Sequence, residues 1–179
     1  MSDASAPLDN EDVDDIFAAL TGDLAEEFEA QNQQRWFGRG EFGSVTVSIP
    51  AQWHPILASL VTQLAETLDE DGLVTANLYP LAHPDDLVAQ AAFADATRDR
   101  LRDGRIAACV TVLATIEASV LDAEVADAWL RTLNAIRVVV ATGVQEDEEL
   151  EELYESGTPQ AKCLMLASAV LGELMNAMT

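Results

Sequence analysis

His83, Asp85 and Asp86 fall together in the stretch AHPDD (Ala82–Asp86), followed by an apolar helical segment. A histidine and two aspartates in that order can hold zinc and supply a general base, the chemistry of a metal-dependent hydrolase. The surroundings argue against it. Leu87 stands where a further acid belongs, and TANLY (Thr75–Tyr79), just upstream, is not a β-branched strand. The only other histidine, His54, starts a different helix. A plain helix start accounts for every residue: His83 lies just before the helix, Pro84 takes its first turn, and Asp85 and Asp86 complement the N-terminal dipole. No metal ligand is assigned.

Other candidate groups are weaker. LDEDGLV (Leu68–Val74) suggests a calcium loop, but Gly72 comes too early and Pro80 occupies the position of the closing glutamate. Glu146–Glu155 holds seven carboxylates in ten residues. So dense a run must be mostly solvated, so acid–base catalysis is not read from it. Its residues Glu148, Glu149, Glu151, Glu152 and Glu155 form a candidate docking face for a basic partner. Arg98, Arg102 and Arg105 share one side if a helix runs through Gly104, and Arg35 and Arg39 flank Trp36 and Phe37. Either set could touch nucleic acid, but Asp95, Asp99, Asp103 and Glu41 neutralise them. Asn134 and Arg137, three residues apart, form a candidate anion-binding or structural polar pair, with Glu124, Asp127 or a C-terminal carbonyl of a neighbouring helix as the acceptor for the arginine. No serine, histidine and acid trio has a nucleophile setting, and no phosphate loop exists. The expectation is no catalytic residue and no cofactor.

The totals narrow the class. At 179 residues the chain is long enough for one self-sufficient core. Nine basic residues against 32 acidic ones give a net charge of −23. That field repels nucleic acid and anionic membranes and favours solubility or basic partners. No export signal opens the sequence, and no apolar run is read as a bilayer span, so a cytoplasmic setting is expected. Cys109 and Cys163 are expected as buried free thiols.

Hydrophobic spacing supplies the elements that must position these groups. Residues 1–12 form an acidic tail. Val13, Ile16, Phe17, Leu20, Leu24 and Phe28 share one face of an amphipathic helix within 13–34. Alternation in SVTVSI (Ser44–Ile49) predicts a short strand or half a hairpin. Trp53, Ile56, Leu57, Leu60, Val61, Leu64 and Leu68 form the face of a second helix. A third runs from Pro84 to RDRLRDG, and a fourth from Arg105 to Leu121. The fifth, about 122–143, is apolar nearly all round and should be central. A short acidic helix and an apolar one from Pro159 to Met178 follow, separated by a stop and cap at Gly157–Thr158–Pro159. The fold class is mainly α: one domain, 35–179, built as a bundle of six to seven helices around the central one. IRVVVATGV (Ile136–Val144) admits a strand as the alternative.

DAWLRTLNAIRVVVATGVQEDEE (Asp127–Glu149) resembles the AWLxxLNxxR region of a family of actinobacterial proteins, classed as a domain of unknown function. Its genes commonly lie next to that of the adaptor protein of the Clp protease. The resemblance runs from about Trp36 to the C-terminus, leaving 13–34 as an addition, and it brings no catalytic residues. It implies a non-catalytic, cytosolic regulatory or protein-interaction protein linked to regulated proteolysis. A DNA-binding regulator is the alternative, and a metal-dependent hydrolase the third. Six large apolar side chains in 13–34 are too many to leave in water, since burying each is worth about 1.5–3 kcal/mol. A homodimer through this helix is therefore expected.

Overall fold

The computed structural model describes residues 35–70, 73–142 and 158–179. The stripe Val13 to Phe28, the acidic face Glu148 to Glu155 and Gly143 lie outside the described residues. The chain is mainly helical. Its helices are α1 (His54–Glu70), α2 (Leu87–Thr115), α3 (Ala123–Thr142) and α4 (Pro159–Met178). Three short strands, β1 (Phe37–Arg39), β2 (Val45–Val47) and β3 (Val120–Leu121), form an antiparallel sheet in the order β1-β2-β3.

The expected count of six to seven helices is not matched: four are present among the described residues. The third and fourth predicted helices are one, the 29-residue α2. Gly104 costs about 1 kcal/mol inside a helix, too little to break one whose later turns are anchored by Ala108, Cys109 and Val112. The helix also stops early, at Thr115. Val120 and Leu121 pair instead with Thr46 and Val45 of β2, so the expected strand near 44–49 gains a neighbour on each side. β1 and β2 join through a tight turn. There a Cβ on Gly40 would sit 2.9 Å from the Ser44 carbonyl oxygen. Phe42 takes φ 54°, the left-handed region, with its ring in solvent.

The core lies where spacing put it. Every residue of the α1 stripe, Trp53 to Leu68, is buried. Pro50 and Pro55 bracket the start of that helix, where a missing N–H is harmless. α3 is helical through Val138, Val139 and Val140, so the strand alternative is wrong there. It buries Ala126, Trp129, Leu133 and Ile136 and packs on α1, α2 and α4. Thr158 caps α4, its hydroxyl accepting from Ala161 N at 3.3 Å, with Pro159 in the first turn.

One polar contact ties the sheet to α4. The Glu173 carboxylate accepts from the backbone N–H groups of Trp36 at 2.6 Å and Phe37 at 3.4 Å. Arg39 Nη2 adds a bond to the Thr179 carbonyl at 3.2 Å. Hydrogen bonds to a charged acceptor are worth about 1.5–3 kcal/mol, and stranding the donors costs most of that. Glu173→Ala should therefore lose about 2 kcal/mol. Glu173→Gln, which keeps an acceptor oxygen, should lose about half as much. Urea denaturation measures both. A Glu173→Ala midpoint equal to wild type, at unchanged slope, would show the clamp to be idle.

Candidate functional site

Around AHPDD the described residues form a helix entrance. Pro84 and Asp85 lie in the turn before α2, and Asp86 is its N-cap. Asp86 Oδ1 accepts from Val88 N at 3.1 Å and Ala89 N at 3.0 Å. The helix thus begins at Leu87, later than the sequence suggested, because Asp86 takes the cap and leaves Pro84 outside. Gln90 reaches back, its Oε1 accepting from His83 N at 3.0 Å and its Nε2 donating to the Pro80 carbonyl at 3.4 Å. The His83 ring meets Phe93 edge-on at 6.2 Å. Among the described residues no group of three or more His, Cys, Asp or Glu is placed to hold a metal ion.

Arg98, Arg102 and Arg105 do fall on one side of α2, since the helix runs through Gly104. Each has an intramolecular contact. Arg98 lies over the Tyr79 ring, 4.9 Å from its centre. Arg102 pairs with Asp99 at 3.4 Å and Asp103 at 3.6 Å. Arg105 Nη2 donates to the Leu78 carbonyl at the end of the 3-10 turn Leu73–Leu78. Arg98 and Arg105 thus fasten Leu78 and Tyr79 against α2, while the Arg102 contacts stay within the helix.

The pair Asn134 and Arg137 is not brought together as a site. Asn134 is exposed, while Arg137 is half-buried, and its Nε, out of solvent, has no hydrogen-bond partner among the described residues. Neither expected carboxylate serves it: Asp127 is engaged by Arg131 at 2.7 Å and Glu124 is exposed. An (i, i+4) neighbour on the same helix reached Asp127 first. Burial pushes the Cys163 thiol up to about 12. It raises Cys109 as well, the Thr132 hydroxyl partly offsetting it. Both are free, neutral thiols at physiological pH and poor nucleophiles.

What sequence reasoning missed is apolar. Leu81, Leu87 and Val88 are 73%, 83% and 81% exposed, and no residue of α2 from 87 to 107 is buried. The signal was in LVAQAAFADATRDR: after Leu87 and Val88 the helical positions that should continue a core face carry alanine and aspartate. The result is an apolar surface at the start of α2, held by the Asp86 cap, the Gln90 bonds and the Arg98–Tyr79 stack.

If Asp86 is a cap and nothing more, Asp86→Ala should cost about 1 kcal/mol and its neighbour Asp85→Ala less than about 0.5 kcal/mol. Thermal or urea unfolding, with and without added zinc, checks this. Equal losses in both variants, together with zinc-dependent stabilisation of wild type, would restore the metal reading.

The chain's relatives can now be set beside this geometry. No curated protein and no solved structure matches it. A family model described as Domain of unknown function (DUF2017) matches residues 5–178, a span that takes in the amphipathic stretch 13–34. The chain belongs to that family.

Proposed function

We propose that this domain is a non-catalytic protein-interaction module, and that the start of α2 is its docking face. The observation that carries the reading is the exposure of Leu81, Leu87 and Val88 on a backbone fixed by a cap, a stacked arginine and two glutamine bonds. A cluster of large apolar side chains kept in water on a rigid support is a common mark of a partner surface. Asp85 and Asp86 directly precede Leu87, in keeping with the net charge and with a basic rim on the partner. A link to regulated proteolysis rests on the gene neighbourhood that the family resemblance implies.

Leu81→Asp/Leu87→Asp/Val88→Asp should abolish capture of the partner from lysate of the native host. Those side chains bury nothing, so the melting temperature should stay within a few degrees of wild type. Quantitative mass spectrometry of matched pull-downs reads the first, and a thermal melt the second. An unchanged set of captured proteins would remove this face from the account. Enrichment of protease components only by wild type would support the proteolytic link.

A further inference from the structure

The hairpin between β1 and β2 turns on an unusual residue. Gly40 N donates to the Ser44 carbonyl at 2.8 Å, and Ser44 N donates to the Glu41 carbonyl at 3.0 Å. The Ser44 hydroxyl reaches the same Glu41 carbonyl at 2.7 Å. Phe42, at φ 54° and ψ 32°, and Gly43, at φ 79°, fill the two central positions of a type I′ turn. The first of these positions ordinarily takes Asn, Asp or Gly, because a bulky side chain is strained there. Among the described residues Phe42 is the only non-glycine with a positive φ. No burial offsets that strain. The ring is 103% exposed, and of the Phe, Tyr and Trp side chains among the described residues it alone is exposed.

The ring is held out on a firm base. Arg39 pairs with buried Val45 across the two strands, and its guanidinium donates to the Thr179 carbonyl at the end of α4. An aromatic side chain presented at a fixed angle loses little entropy on entering a pocket, and such residues are frequent anchors of interfaces. A lone protruding ring fits a concave partner, since a flat one would leave most of it in water. Charge narrows the partner further. Between residues 35 and 65 the charged side chains are Arg35, Arg39 and Glu41, two positive against one negative in a chain of −23. The hairpin is thus where an acidic surface meets least repulsion. Lipid fits less well, because the net charge repels anionic headgroups. α4 has the length and composition of a bilayer span, which amends the sequence expectation, but half of that window is buried in the protein itself.

We propose that Phe42 is the anchor of a second docking site, and that its occupant is an apolar pocket of ring size on another protein, rimmed by carboxylates that answer the positive balance of the hairpin. The strain of the turn then has a use: it holds the ring clear of the sheet, where a buried aromatic would be of no service to a partner. This site stands on the turn and not on the start of α2, so either face can fail without the other.

Substitution and crosslinking test it together. Phe42→Asn suits the turn and removes no contact, so the melting temperature of the full chain should rise by a few degrees. A fall would mean that the ring supports the fold, and the proposal would be wrong. In the native host, p-benzoylphenylalanine then replaces Phe42 or, in a control strain, exposed Val120 of β3. The peptide crosslinked through the Phe42 position should come from one other protein and hold apolar residues with Asp or Glu beside them, and Val120 should not yield it. With that protein purified, Phe42→Asn should weaken binding at least about tenfold, and Phe42→Tyr should stay within about threefold of wild type. An adduct with a second copy of this chain, an adduct with lipid alone, one shared with Val120, or none would overturn the proposal. So would equal affinities of wild type and Phe42→Asn.

Discussion

Trp129 is the residue on which the rest of the architecture depends. Its side chain is fully buried in α3, and a buried indole must place its one donor. Nε1 donates to Thr115 Oγ1 at 3.0 Å, and that hydroxyl in turn donates to the Thr111 carbonyl at 2.7 Å. The bond fixes the last turn of α2 against α3, and the chain then turns into β3 beside β2. On another side Phe37 of β1 meets the indole edge-on at 6.0 Å. Two helices and the sheet thus meet at one side chain, and Glu173 locks α4 onto the same strand.

Much of this was legible because burial imposes a period. The α1 stripe, the apolar α3 and the capped start of α4 follow from spacing, proline and threonine alone. Boundaries set by tertiary contacts were not legible. The end of α2 is fixed by Trp129 and by strand pairing, neither visible in a window of local residues. The passage of α2 through Gly104 turned on anchoring at Ala108 and Cys109, which outweighs one glycine. At the candidate site, a helix start after AHPDD was legible from chemistry, but Asp86 was read as a first-turn acid, and its role as the cap moves that start to Leu87. For Arg137, Asp127 is not the acceptor, because it has a closer suitor in Arg131. Leu87 and Val88 were given no role, since periodicity alone does not say which face finds a partner.

The surface divides accordingly. Arg98, Arg102 and Arg105 of α2 are spent inside the molecule, on Tyr79, on Asp99 and Asp103, and on the Leu78 carbonyl. The Arg98 and Arg105 contacts stiffen the loop that presents Leu81, so two of the contacts that quench a basic patch also hold an apolar one in place. Rigid presentation lowers the entropy lost on association, which favours binding without any added area. In a chain of net charge −23, electrostatics keeps copies apart and leaves apolar patches as the places where specific contact is favourable.

The docking face is the central claim, and site-specific photo-crosslinking in the native host tests it most directly. A photoreactive phenylalanine analogue is placed at Val88, and in a separate strain at exposed Glu124 on α3. The account predicts a discrete heavier adduct from Val88, with one dominant protein in it, and none from Glu124. No adduct at Val88, or the same ladder from both positions, would contradict it.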